Sequence, residues 1–132
     1  MNKDLINKKN SILNGQLTNS ILSIIGILIG IIIILDQKEK ANGRKGFLEN
    51  KSSQDLALLS RIIFVFVVIY ALKLNYESYN LSKITNQDTS SLELQITSSY
   101  LSIIVAVIGL YVVITNYSNT NLQPAEIEND FL

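Results

Sequence analysis

The residues of this chain that could do chemistry are small and polar, and they recur at helical spacing inside apolar sequence. Asn19, Ser23, Gly26 and Gly30 follow one another at intervals of four, three and four. Ser99, Ser102, Ala106 and Gly109 follow at three, four and three. Each series keeps a seven-residue repeat and so lines one face of a helix. The chemistry such a face offers is association. Small side chains let two backbones approach closely, and Asn and Ser add hydrogen bonds across the gap. Gly26-x-x-x-Gly30, a pattern common in associating membrane helices, lies within the first series.

Other chemistry finds little to work with. The chain has no histidine and no cysteine. It therefore lacks the commonest metal ligand, the side chain best suited to proton transfer near neutral pH, and any thiolate nucleophile or disulfide. Its acids and lysines fall in connecting segments without a paired arrangement. No phosphate-binding loop or dinucleotide-binding glycine pattern occurs, since Gly26 and Gly30 stand in apolar sequence rather than after a strand. With 11 basic and 11 acidic residues the formal net charge is zero. The basic residues also lack the clustering on one face that nucleic-acid binding requires. The expectation is a non-enzymatic protein with no cofactor, no metal, no nucleic-acid partner and no evident small-molecule substrate.

The two series lie in two of three apolar blocks. Leu17 to Leu35 (LTNSILSIIGILIGIIIIL) carries no charge. At about 1.5 Å per residue it is roughly 30 Å long, the thickness of a bilayer hydrocarbon core. Its end at Asp36 is sharp, because a charge at the bilayer centre costs about 2.5 kcal/mol or more. The second block is 56–74 (LALLSRIIFVFVVIYALKL) and the third 96–115 (ITSSYLSIIVAVIGLYVVIT). The fold expected is all-α: an integral membrane protein with three transmembrane helices and short polar loops.

Arg61 interrupts the second block, and it has two readings. In the plainer one, Arg61 and Lys73 extend outward to the two headgroup layers and frame the span as interface anchors. In the sharper one, Arg61 faces a cavity and pairs with Asp55 or with another chain. Tyrosines mark further membrane interfaces: Tyr70 and Tyr76 at one end of the second block, Tyr100 at one end of the third, and Tyr111 and Tyr117 at its other end.

Polar segments connect the blocks. Residues 1–16 form a mildly basic N-terminal tail. Leu5, Ile6, Ile12 and Leu13 recur there at seven, which suits a short helix lying on the membrane surface. No signal-peptide cleavage is expected, because the polar lead is long and Asp36-Gln37-Lys38 offers no small-residue site. Residues 36–55 read as a hydrophilic loop with turn signals at Asn42-Gly43 and Gly46, and Ser52-x-x-Asp55 resembles a capping box before the second block. In the connector 75–95, Ser90-x-x-Glu93 repeats that signature, and the second helix is expected to continue to about Lys83. The tail 116–132 is acidic, with Pro124, Glu126, Glu128 and Asp130 and no lysine or arginine.

Two matching small-residue faces point to close packing of the first helix on the third, parallel to it, with the second outside. The same faces also admit pairing with a second copy. A sharper reading makes Asn19, Ser23, Ser99 and Ser102 the wetted lining of a pore, though no intramembrane carboxylate ring or filter-like backbone accompanies them. The partners implied are the lipid bilayer and either the chain itself or other membrane subunits. The leading functional expectation is a structural or accessory subunit of an oligomeric membrane assembly. The alternative is a small membrane-permeabilising protein: the three-span layout and length resemble the three-helix class of phage holins, in layout alone, and the tail lacks the basic charge such proteins usually end with. The abundance of Asn, Ile and Lys suits a low-GC genome, hence a cell membrane for a bacterium or phage, or a virion or host membrane for a virus. Placing the first loop inside puts six Lys/Arg inside against five outside, a margin of one in favour of N-terminus out and C-terminus in.

Overall fold

The computed structural model describes residues 2–122, with side chains through 117. It consists of three helices: α1 (Lys3–Ala41), α2 (Asn50–Ile84) and α3 (Ser90–Leu122). All three are long and apolar enough to cross a membrane, with windows of mean hydropathy 2.5, 2.2 and 2.1.

The helices outrun the apolar blocks. Nothing in residues 3–16 breaks a helix, and Asn2 caps it, its Oδ1 accepting from Leu5 N at 3.0 Å. Residues 3–16 are therefore the start of α1 and not a separate surface helix. At 39 residues α1 is about 58 Å long, and its polar ends extend beyond the apolar run on both sides. Likewise 36–41 belongs to α1 and 116–122 to α3, which leaves connections of 42–49 and 85–89. The remainder of the expected acidic tail, with Pro124, Glu126, Glu128 and Asp130, lies outside the described residues.

Both helix stops are left-handed caps. Gly43 has φ +77°, with Arg44 N donating to Glu39 O at 3.0 Å and Gly43 N to Lys40 O at 3.1 Å. Asn86 takes the same role after α2 at φ +57°, with Gln87 N donating to Ser82 O at 2.8 Å. Helix starts are less orthodox. The Ser52 capping box does not form, because α2 already begins at Asn50 behind Glu49, which makes no side-chain cap. At α3 the cap is Asp88: its Oδ1 accepts from Ser90 N at 3.0 Å and from Ser90 Oγ at 2.8 Å. These two bonds hold the Asp88 carboxyl below the usual carboxylate range.

Because the connections are short, chain neighbours pack antiparallel, α1 on α2 and α2 on α3. No Cα of α1 comes within 8 Å of α3. This overturns the expected pairing of the first and third helices: they are parallel, but α2 lies between them rather than outside. The described chain is thus an open layer in which α2 alone contacts both other helices, and few large side chains are covered. Among the described residues, only Ile12, Val67, Val68, Leu74 and Ala106 form a buried apolar core.

Asp36 orders the first connection. It is fully buried, and its Oδ1 accepts from Phe47 N at 3.0 Å and Leu48 N at 2.9 Å. Its Oδ2 meets Lys40 Nζ at 2.8 Å, and Lys40 also donates to Asn50 Oδ1 at the start of α2. Gly46 makes this approach possible. At φ +74°, a Cβ there would stand 2.7 Å from Asp36 Oδ1.

Two predictions follow from these turns. Gly43→Ala should cost about 1 kcal/mol, the penalty of a left-handed alanine. Gly46→Ala should cost more, since it adds a steric clash at Asp36, and thermal unfolding in detergent micelles followed by circular dichroism compares the two. At Asp88 the depressed pKa means that the cap is in place above the unfolded-state value near 4 and is lost as pH falls through the lower folded-state value. Asp88→Ala at neutral pH should remove it outright, which faster hydrogen exchange at the first-turn amides of α3 would report.

Candidate helix-association site

The two small-residue faces exist, and each turns toward α2. On α1, Asn19 is 9% exposed and its Nδ2 donates to Val67 O at 3.0 Å, while Oδ1 is buried with no partner among the described residues. Ser23 Oγ donates back to Asn19 O at 2.9 Å. Gly26 receives α2 from two residues. Its carbonyl accepts from Ser60 Oγ at 3.3 Å, and a Cβ at Gly26 would lie 3.5 Å from Ile63 Cγ2. Gly30 departs from the series, for a Cβ there meets nothing within 4 Å. The Gly26-x-x-x-Gly30 pattern is therefore a contact at its first glycine only.

The tightest approach of α1 to α2 lies upstream, at Gly15, where a Cβ would stand 2.6 Å from Leu74 Cδ2 and 2.9 Å from Tyr70 Oη. Sequence reasoning missed Gly15 because it sits in polar sequence outside the apolar run. Stepping the same interval of four back from Asn19 reaches it, and one further step of three reaches buried Ile12.

On α3, Ser99 is 7% exposed and accepts from Asn75 Nδ2 at 2.7 Å, while its own Oγ donates to Gln95 O at 2.9 Å. Ala106 is 1% exposed. Ser102 Oγ donates to Ser98 O and borders a notch of about 200 Å³ shared with Val68, Ala71 and Asn75. Gly109 lies under Arg61: a Cβ there would be 3.2 Å from an Arg61 guanidinium nitrogen. Asn75, the α2 residue that answers the third-helix series, was not singled out by the sequence. Its position just past the second apolar block, on the side of Val68 and Ala71, is the signal that would find it.

Of the four polar groups in the pore reading, Ser23 and Ser102 are half-buried. Asn19 and Ser99 are buried in different interfaces, one between α1 and α2 and the other between α2 and α3.

The anchoring residues are distributed as follows. Tyr76 and Tyr100 meet, with hydroxyls 2.7 Å apart and rings edge-on at 6.4 Å. Tyr70 packs at Gly15 with Lys73 Nζ 5.7 Å from its ring centre, and Lys73 itself is exposed. Tyr111 is 69% exposed. The Asp55 carboxylate lies near Tyr117 and raises the pKa of its hydroxyl, and none of the ion pairs among the described residues joins Asp55 to Arg61. Nor does Arg61 reach outward along α3, since its guanidinium lies over Gly109, well short of Thr115.

The fold and these interfaces define a multi-pass, all-helical membrane protein with polar, small-residue helix contacts. Comparison with protein-family models, with curated proteins and with solved structures finds no match to the chain.

Gly15→Leu should therefore destabilise the protein by about 1–3 kcal/mol, the usual cost of overpacking. Gly30→Leu should change stability by less than about 0.5 kcal/mol. Equal losses in detergent thermal unfolding would refute this reading of the α1 face.

Proposed function

We propose that this chain is a non-enzymatic membrane subunit that supplies helices to an oligomeric assembly. The observation that carries the reading is the open layer. With α1 and α3 kept apart by α2, each has one neighbour and leaves most of its apolar surface uncovered. Ile21, Leu28, Ile34, Leu101, Val105 and Ile108 all exceed half exposure. A layer of this kind leaves both outer helices accessible to other spanning helices. Its polar side chains are spent on tying α2 to its neighbours rather than gathered at a reaction centre. Membrane permeabilisation, the competing reading, needs polar groups on a common lumen, whereas Asn19 and Ser99 are each bonded to α2 in separate helix contacts.

Solubilising the chain from its native membrane in mild detergent and measuring mass by light scattering tests the proposal. The expected result is a defined complex of fixed stoichiometry, heavier than one 14.7 kDa chain, containing other membrane proteins. Induced expression in a bacterium should leave the membrane impermeable to a charged dye. A monomer in native membranes, or rapid dye entry with depolarisation, would overturn the proposal.

A further inference from the structure

Arg61 stands at a depth where a charge needs a partner, and the described residues supply none. Its level can be read from its neighbour. Ser60 donates to the carbonyl of Gly26, the midpoint of the uncharged run Leu17 to Leu35. From Gly26 to Leu35 about 13 Å of apolar α1 continues toward the membrane surface nearer to Arg61. On the other side the guanidinium lies over Gly109, with about 9 Å of apolar α3 still to run before Thr115. Both neighbours thus place the charge inside the apolar layer rather than at its rim.

The side chain does not escape this depth. A guanidinium that served lipid phosphate would climb along α3 toward Tyr117, whereas this one lies over Gly109. The glycine is what permits that, since a Cβ there would meet the guanidinium at 3.2 Å. Asp55, the nearest acid in sequence, forms no ion pair with it. None of the ion pairs among the described residues involves Arg61. Ionisable groups within spans pair with one another or line a polar path. The three apolar runs contain no Asp or Glu, so the runs of a second copy bring no counter-charge at this depth.

We infer that the Arg61–Gly109 saddle is the docking point for a spanning helix of a different protein, one that carries an aspartate or glutamate near its middle. Arg61 is exposed on the surface of the layer, so the acid reaches it from the side without any rearrangement of α2. The guanidinium offers a planar pair of donors that a carboxylate meets with two hydrogen bonds. This inference rests on the subunit reading and adds the chemistry of the partner.

The test uses the full chain in phosphatidylcholine vesicles and a synthetic probe: a leucine-rich spanning peptide about 20 residues long with one central glutamate. Energy transfer between labelled chain and peptide reports association. The glutamate peptide should bind about tenfold more tightly than its glutamine or leucine counterpart, in line with the strength of polar contacts between membrane helices. Arg61→Leu should abolish the difference and Arg61→Lys should retain most of it, with circular dichroism showing that both variants keep their helices. Equal binding of all three peptides would overturn the inference. So would an unchanged preference in Arg61→Leu, or loss of the preference when anionic phosphatidylglycerol is added, since the counter-ion would then be a lipid phosphate. A heteromeric complex in native membranes together with a failed peptide assay would defeat this inference and leave the subunit reading standing. A monomer in native membranes would defeat the subunit reading whatever the peptide does.

Discussion

The amide of Asn19, donating to the carbonyl of Val67, is the interaction on which the arrangement of this chain turns. In lipid the hydrophobic effect does not distinguish a helix neighbour from an acyl chain, so helices need contacts that lipid cannot imitate. A side-chain amide bonded to the main chain of the next helix is such a contact, and it fixes register as well as adjacency. Asn19 ties α1 to α2. Asn75, bonded to Ser99, ties α3 to α2 along a separate face. Between the asparagines the glycines let backbones approach, most closely at Gly15. The apolar run of α1 is centred beside Ser60 and Ile63 rather than beside the middle of the second run. It is thus displaced by about one helical turn along α2, and that offset is what puts Arg61 deep in the layer.

The ends of the helices have their own logic. Asp36 terminates the apolar run and then does a second job, gathering Lys40 and the amides of Phe47 and Leu48 around one carboxylate. A buried acid with a paired cation and two main-chain donors retains its charge at modest cost, because its hydration shell is replaced rather than lost. The short connection it orders forces α2 to return beside α1. The cap at Asn86 and the carboxylate of Asp88 do the same for α3. Local chemistry at the connections and polar contacts within the layer therefore agree on α2 as the centre.

Much of this was legible in the residues. Span number and helical class follow from uncharged runs of bilayer length. The faces carrying Asn19, Ser23, Gly26, Ser99, Ser102, Ala106 and Gly109 follow from a seven-residue interval. Which face meets which did not follow, because a small-residue face does not need another small face. It is filled equally well by the bulk of Ile63, Tyr70 and Leu74 on α2, and composition alone does not distinguish the two solutions. Gly15 and Asp36 escaped for a related reason. Both lie in polar sequence, where helix continuation depends on the absence of breakers and on distant partners such as Leu74 and Phe47. For Arg61 its own helix leaves two readings open, an outward-reaching anchor or a charge paired with Asp55 or another chain. Its depth depends on the stagger of α1, which no single segment encodes.

The placement of α2 between its neighbours is tested most directly by disulfide trapping, for which the absence of native cysteine gives a clean background. Three double-cysteine variants suffice: Gly26→Cys with Ile63→Cys, Asn75→Cys with Ser99→Cys, and Ser23→Cys with Ala106→Cys. A disulfide requires Cα atoms within about 7 Å. The first two pairs should oxidise readily within one chain in the membrane. The third pair, which joins α1 to α3 at the same level, should remain reduced, as no Cα of one approaches the other within 8 Å. Rapid intramolecular oxidation of Ser23→Cys with Ala106→Cys would contradict the account.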